Sequence, residues 1–317
     1  MAAESTRAIT RRQSLAPVAA LLPQGNAAPL AGLVDAHVHV WSANTGKYPL
    51  APGFTMKDLW SPSFTAEELR THADAAGVRR INLVQMTWYG LDHRYILDLI
   101  ATDPRRYCGT GIVPAMSDVS GPSPDQAMIE LSRHGVVAFR VRGKSTRPPL
   151  PEMTRWMEHP GYEKMFAAGA AHNLALSFLM GPPDLPELDR MCGRFPESPV
   201  IIDHFCIIGR QGRFDEEEVA ALVRMARHKR VMVKFGGFYA LGKRQPPYLD
   251  MLPLMRRLVE AFGPDRCMWE SDAPMQAKPP HTYEAAVAVI RDHADFLSAS
   301  EKHRILTKTA EDFFFRR

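Results

Sequence analysis

The sequence lacks several motifs by which enzymes are commonly recognised. No G-x-G-x-x-G follows the first predicted strand, which argues against a dinucleotide-binding fold, and no G-x-S-x-G elbow predicts a serine nucleophile. The four cysteines lie far apart and never form C-x-x-C, so neither a zinc knuckle nor a disulfide framework is indicated. No apolar run reaches the roughly 20 residues needed to span a bilayer. Any chemistry is therefore expected to come from other side chains, above all histidines and carboxylates.

The sequence also lacks a large excess of either positive or negative charge. The 39 basic residues are interspersed with 35 acidic ones, and the formal net charge is only +4. No basic stripe predicts binding to nucleic acid or to an anionic membrane surface. With 317 residues, of which 45% are hydrophobic, the chain can bury a full core. The expected partner is a small-molecule substrate, and a homo-oligomer is possible.

The first 31 residues differ in composition from the rest. A twin arginine precedes a short apolar run in "TRRQSLAPVAALL", which is similar to a twin-arginine export signal. Ser14 stands where that signal usually carries an aromatic residue, and Pro17 interrupts the run. We predict a flexible leader over residues 1–31 and a cytoplasmic protein. Export to the periplasm through this segment is the alternative.

From residue 32 onward, short apolar runs alternate with amphipathic helical stretches. This pattern is typical of repeated β-α units. Strands are predicted near Leu33–His39, Arg80–Met86, Cys108–Val113, Val136–Val141, Leu174–Leu179, Val200–His204, Val231–Phe235 and Cys267–Glu270. Eight such units predict a single-domain (β/α)8 TIM barrel over residues 32–317. An open doubly wound sheet is the alternative.

Polar residues stand at the ends of three predicted strands. In "VDAHVHVW", strand alternation places Asp35, His37 and His39 on one face. Strand six ends in Asp203 and His204, and Asp272 follows strand eight. In a barrel, these strand ends meet at the carboxyl face, where His37, His39, His204 and Asp272 would converge. Paired imidazoles suit one divalent ion or one oxyanion.

These motifs resemble the amidohydrolase superfamily: D-x-H-x-H on strand one, D-H at strand six and S-D-x-P at strand eight. The likeness is to the branch of fuconolactonase and the pyrone-dicarboxylate lactonases, and it extends over almost the whole barrel. It implies a (β/α)8 fold and a hydrolase, with His37, His39, His204 and Asp272 in the catalytic site. Asp272 would act as general base, while the imidazoles polarise a carbonyl.

A departure from the resemblance concerns metal. Metal-dependent members usually take a histidine or modified lysine from strand five, but "LALSFLMGPP" offers no nitrogen ligand there. The sequence therefore predicts at most one ion, such as zinc, held by His37, His39 and Asp272, with or without His204. Chemistry that needs no metal is equally compatible with the residues.

Other side chains are candidates for substrate binding. Arg140 and Arg142 share one face of strand four, and guanidinium groups at a barrel mouth suit a carboxylate or a lactone carbonyl. Trp41, Trp88 and Tyr239 are predicted to wall the pocket. The alternatives are surface arginines and aromatic residues that only pack.

The favoured function is the opening of a lactone, either a sugar lactone or a pyrone carboxylate, by attack of water assisted by Asp272. Two alternatives stay open. One is a metal-dependent non-oxidative decarboxylase of an aromatic or unsaturated carboxylate on the same scaffold. The other is a barrel that binds a ligand without catalysis.

Overall fold

Eight parallel strands form the centre of the molecule. The computed structural model describes residues 32–116, 120–146 and 156–315, and their strands lie in one sheet in consecutive order. They are β1 (Leu33–Val38), β2 (Val78–Val84), β3 (Tyr107–Gly111), β4 (Val136–Arg142), β5 (Ala175–Leu179), β6 (Val200–Ile202), β7 (Val231–Phe235) and β8 (Cys267–Trp269). Each strand pairs in parallel with the next. The eight strands predicted from the sequence are confirmed.

The two edges of this sheet meet. Val38 at the end of β1 bridges Ala273 beyond β8. The backbone N–H of Asp272 donates to the carbonyl of His37 over 3.0 Å, and that of His39 donates to Ala273 over 2.9 Å. The predicted (β/α)8 barrel is therefore confirmed. The open doubly wound sheet is wrong, because it would leave two unpaired edges and a non-consecutive strand order.

Helices follow the strands along the chain. Those of the described residues are α1 (Ala66–Ala75), α2 (Arg94–Thr102), α3 (Pro124–Ser132), α4 (Pro160–His172), α5 (Leu185–Arg194), α6 (Glu216–Arg224), α7 (Leu252–Phe262), α8 (Tyr283–Arg291), α9 (Ala299–His303) and α10 (Thr309–Phe314). The capping box of Thr65 and Glu68 starts α1, with both of its hydrogen bonds present. In this part of the chain, no helix combines the length and the apolar character that crossing a membrane requires. The predicted leader, residues 1–31, lies outside the described residues.

An apolar layer fills the amino half of the barrel. Small side chains such as Ala36, Ala138 and Ala175 leave space on its inner wall. Phe314 of α10 packs into this space and is only 1% exposed. The hydroxyl of Thr309 at the start of α10 donates to the carbonyl of Pro264, just before β8, and holds the helix at this end. The final helix therefore closes the barrel floor, opposite the predicted site.

A β-bulge in β1 changes the predicted orientation of one residue. Asp35 pairs with Ile81, and Val38 pairs with Leu83. Between these two pairs, β1 therefore contains one residue more than β2. The prediction that Asp35 shares a face with His37 and His39 is wrong for this reason. Asp35 accepts a hydrogen bond from the Tyr283 hydroxyl on α8, outside the barrel, while both histidines lie at the barrel mouth.

The packing of Phe314 leads to a prediction about stability. Phe314→Ala should lower the free energy of unfolding by about 3–5 kcal/mol, because it leaves a cavity in the barrel floor that cannot collapse. Urea denaturation followed by circular dichroism measures this. Phe313→Ala, on the partly buried neighbour, is the matched control and should cost clearly less. Equal losses in the two variants would contradict the role assigned to Phe314.

Candidate active site

The four predicted catalytic residues lie together at the carboxyl ends of the strands. Nε2 of His37 is 3.2 Å from Nε2 of His39. Oδ1 of Asp272 lies 3.7 Å from the first of these nitrogens and 3.6 Å from the second. Its other oxygen, Oδ2, lies 3.8 Å from Nε2 of His204. All four side chains are buried. The structure thus brings together residues as distant in the chain as His37 and Asp272.

The side chain of Asp35 binds the backbone next to two of these residues and helps to position them. Its Oδ1 accepts hydrogen bonds from the N–H of His37 over 3.0 Å and from that of Ser271 over 2.9 Å. One carboxylate therefore holds two of the three chain segments that carry the predicted catalytic side chains, next to His37 on one side and Asp272 on the other. Burial raises the pKa of Asp35 to about 6, against the opposing effect of these hydrogen bonds.

His204 and Asp272 are held in an uncommon backbone conformation. Their φ angles are 51° and 59°, in the left-handed region that costs a non-glycine residue about 1–3 kcal/mol. Glu270 stabilises this backbone conformation at His204. Its Oε1 accepts a hydrogen bond from the backbone N–H of His204 over 3.1 Å and lies 2.6 Å from Nδ1 of the same residue. Gly236 makes room for this carboxylate: a Cβ there would lie 2.3 Å from Cγ of Glu270.

The partners on Nδ1 give two of the histidines different charges. Burial acts to lower the pKa of His204, but the carboxylates of Glu270 and Asp272 outweigh it and raise the pKa to about 9. Burial, together with His37, lowers the pKa of His39 to about 3. Nδ1 of His39 lies 3.0 Å from the carbonyl of Val84, so the neutral ring donates there and turns its Nε2 lone pair toward the site. At neutral pH the site contains an imidazolium and a neutral imidazole.

Asp272 is ionised in this environment. Burial acts to raise its pKa, but the imidazoles of His204, His37 and His39 outweigh this effect and hold the pKa below the ordinary range of a carboxyl group. Tyr239 donates its hydroxyl to Oδ2 over 2.7 Å. The predicted site residue Tyr239 therefore contacts the carboxylate directly as well as lining the pocket.

His37 belongs to a layer of polar side chains that lies beneath the other predicted catalytic residues, and sequence reasoning found its members His37, Arg140 and Asp203 but missed the others. Each strand, or the residue that follows it, contributes one member: His37, Asn82, Thr110, Arg140, Ser177, Asp203, Lys234 and Glu270. On most strands the member stands two positions after a residue of the apolar layer, as Lys234 follows Met232. Alternation along each strand was therefore a usable signal.

Four of these residues carry compensating charges. Nζ of Lys234 lies 3.1 Å from Oδ1 of Asp203, and Nη2 of Arg140 lies 3.4 Å from Oδ2. Ser177 donates its hydroxyl to both oxygens, over 2.9 and 3.0 Å. Burial acts to raise the pKa of Asp203, but Lys234 and Arg140 hold it well below its usual range. Glu270 is ionised for a similar reason: burial acts to raise its pKa, but His204 lowers it to about 2.

A cavity of about 700 Å³ opens above the site and is rich in arginine. Its lining includes Arg140, Arg142, Arg210 and Arg244, whereas Asp272 is the acidic residue among its described lining residues. The predicted pair on β4 therefore lies where the sequence suggested. The aromatic wall differs: Trp60 lines the cavity, while the buried Trp41 and Trp88 pack edge-on behind it, with ring centroids 6.0 and 5.5 Å away.

The donor atoms for a metal ion are only partly available. His37, His39 and Asp272 each offer one atom, and the separation of 3.2 Å between the imidazole nitrogens is close to the roughly 3.3 Å between ligands of tetrahedral zinc. However, Nη2 of Arg140 lies 2.7 Å from Nε2 and 3.4 Å from Nδ1 of His37, so a guanidinium lies against this ring and would repel a dication bound to it. On β5, Ser177 is committed to Asp203. In this arrangement the residues do not fit a bound ion.

The buried charges lead to a second prediction. Lys234→Met should destabilise the protein by about 3–5 kcal/mol, because it leaves Asp203 buried with incomplete compensation. Adding Asp203→Asn should recover part of this loss by removing the uncompensated charge. Urea denaturation of the two single variants and the double variant forms the cycle. A double variant that is less stable than the two losses combined would refute the pairing.

Comparison with known proteins gives a consistent result. The sequence profile of a family described as Amidohydrolase matches residues 34–316. The chain is 26% identical over 288 residues to an L-fucono-1,5-lactonase of Burkholderia ambifaria, covering 89% of this chain and 94% of the relative. It is 28% identical over 256 residues to a 2-pyrone-4,6-dicarboxylate hydrolase of Comamonas testosteroni, covering 77% of each protein.

The fold is shared with solved structures. A crystal structure of an amidohydrolase from Burkholderia multivorans with bound zinc superimposes with a TM-score of 0.70 at 20% identity, covering 90% of this chain and 99% of that one. The family match extends over nearly all of the barrel and includes every strand that carries a site residue. This chain belongs to the amidohydrolase family.

Proposed function

We propose that this protein hydrolyses a lactone that carries at least one carboxylate. The observation that carries the proposal is the grouping of an ionised Asp272, a cationic His204 and a neutral His39 at the base of one arginine-rich cavity. A carboxylate base beside a cationic hydrogen-bond donor is what attack of water on an ester carbonyl requires. The names of the two curated relatives support lactones as the substrate class.

The reaction follows from the groups of the protein itself. His204 and Arg140 donate to the lactone carbonyl and stabilise the negative charge that develops on its oxygen. Asp272 accepts a proton from water as the water oxygen bonds to the carbonyl carbon. The tetrahedral intermediate collapses by breaking the ring C–O bond, and Asp272 returns the proton to the leaving oxygen.

The arginines favour an anionic substrate over a neutral sugar lactone. Four guanidinium groups line the cavity, and Arg140 and Arg142 point to it from successive inward positions of β4. Arginine binds carboxylates through paired hydrogen bonds, whereas a neutral sugar offers no charge to compensate. A pyrone carboxylate or a related unsaturated lactone acid therefore suits the cavity better.

No step of this reaction is assigned to a metal, because the guanidinium of Arg140, 2.7 Å from Nε2 of His37, would repel a dication there. The same contact disfavours the alternative of a metal-dependent decarboxylase. We propose that catalysis needs no metal, and the expectation of at most one ion stays a prediction.

Location and assembly are also proposals. Ser14 and Pro17 depart from the twin-arginine signal, which supports a cytoplasmic protein. The cysteines Cys108, Cys192, Cys206 and Cys267 are all buried and form no disulfide, which is compatible with a reducing compartment. A homo-oligomer remains compatible with the fold.

Asp272→Asn tests the catalytic role. The amide keeps the size of the side chain and can still pair with Tyr239, but it cannot accept a proton from water. Turnover of the identified lactone should fall by about 10²-fold or more, the usual scale for a general base. Product release followed by chromatography measures this. Turnover near that of the unaltered protein would refute the hydrolytic mechanism and would revive the hypothesis of a barrel that only binds.

Arg142→Met tests the substrate class. Removing one charge-assisted contact of about 1.5–3 kcal/mol should raise KM for a pyrone carboxylate by roughly tenfold or more, with a smaller effect on kcat. KM for a neutral sugar lactone, if it is turned over, should change little. Steady-state kinetics on both compounds decide the matter. An equal change for both lactones would show that Arg142 does not recognise the carboxylate.

A further inference from the structure

The cations of the active-site cavity lie on one part of the barrel mouth. All four arginines among its described lining residues come from β4 or from the loops after β6 and β7: Arg140, Arg142, Arg210 and Arg244. His204, which follows β6 and is protonated at neutral pH, adds to their charge. We call these five residues the cationic arc. Because the strands follow one another around a closed barrel, the ends of β1, β2 and β3 occupy a separate part of the mouth.

The cavity wall that follows β1, β2 and β3 is uncharged. Its described members, which we call the neutral arc, are His39, Trp60, Gln85, Met86, Thr87 and Ile112. His39 is neutral, and the amide nitrogen of Gln85 donates to the carbonyls of Gly90 and Asp92 over 3.2 and 2.8 Å. A carboxylate placed against this arc would find no cation among its described residues, and its desolvation would be poorly compensated.

Trp60 provides the largest apolar surface of the neutral arc. It is 46% exposed, whereas Trp41 and Trp88 behind it are buried. Its ring packs edge-on against both of them and also against His39, with a centroid distance of 5.8 Å and an angle of 87°. The indole N–H of Trp41 donates to the carbonyl of Ser61 over 2.9 Å and holds the next residue of the loop. Trp60 is therefore fixed beside a predicted catalytic residue before a ligand arrives, and covering its exposed part with an apolar group is favourable.

We propose that the substrate is amphipathic: a lactone acid whose carboxylate faces the cationic arc, while an apolar group on the other side of the lactone packs on Trp60. This inference rests on the proposed lactone hydrolysis and narrows its substrate class. A lactone with carboxylates on opposite sides would place one of them against the neutral arc, so the cavity disfavours it. The volume of about 700 Å³ lies within the range of pockets for drug-sized ligands, which leaves room for a lactone and an apolar group together.

Two rigid carboxylates test the proposal without any turnover. Terephthalate has carboxylates at opposite ends of a benzene ring, and 4-methylbenzoate has a methyl group in place of one of them. Isothermal titration calorimetry of the unaltered protein should show at least about tenfold tighter binding of 4-methylbenzoate, because the second carboxylate of terephthalate would be desolvated without a partner. Equal or tighter binding of terephthalate, or no detectable binding of either compound, would overturn the proposal.

Variants of the loop after β1 locate the apolar contact. Trp60→Ala should weaken the binding of 4-methylbenzoate by about tenfold, and Trp60→Phe, which keeps an aromatic face, should weaken it clearly less. Phe54→Ala is the matched control, because Phe54 is 39% exposed in the same loop and is not among the described lining residues of the cavity. An equal loss in Trp60→Ala and Phe54→Ala, or no loss in Trp60→Ala, would contradict the assignment. The comparison of the two ligands needs no variant and stands even if one does not fold.

Kinetics separate this inference from the hydrolysis on which it rests. Tighter binding of 4-methylbenzoate by a protein that opens no lactone would refute the proposed function and leave the assignment of the two arcs standing. Conversely, the protein could hydrolyse a lactone with carboxylates on opposite sides at a higher kcat/KM than its monocarboxylate counterpart. That result would refute the amphipathic substrate and leave lactone hydrolysis intact.

Discussion

The site depends on the compensation of two carboxylates buried within the barrel. Asp203 and Glu270 are inaccessible to solvent, and burying an unpaired carboxylate would cost several kcal/mol. Lys234 and Arg140 compensate the first, while His204 compensates the second by staying protonated. The charge state of the His204 imidazole is therefore set from below, by Glu270 of the polar layer. This layer also separates an apolar floor from a polar mouth within the same strands.

Much of the fold could be predicted from the sequence because each strand is a short, nearly continuous apolar run. Such runs are typical of strands that are covered on both faces, and all eight were located within a few residues. The closure of the barrel followed from their number and from the alternation with helices. The convergence of His37, His39, His204 and Asp272 then required only that the carboxyl ends of the strands meet. Arg140 and Arg142 followed from strand parity.

What the sequence did not reveal has identifiable physical causes. The bulge in β1 depends on pairing with β2 and reverses the side of Asp35, which no local pattern in "VDAHVHVW" indicates. Lys234 was predicted only as part of an apolar strand. A single lysine in such a run is usually exposed, and its partner Asp203 is distant in the sequence, so no local pattern indicates that they pair. Trp60 lies in a long loop, whose path is set by tertiary contacts with Trp41 and Trp88.

The contrast between His39 and His204 shows how one residue type obtains two roles within a single cavity. Both rings are buried, and burial alone would leave both neutral. A backbone carbonyl accepts from Nδ1 of His39 and adds no charge, so this ring stays neutral and directs a lone pair inward. A carboxylate accepts from Nδ1 of His204, so the second ring becomes a cation that directs an N–H inward. The acceptor behind each ring, at Val84 or Glu270, therefore decides which histidine stabilises negative charge and which can accept a hydrogen bond.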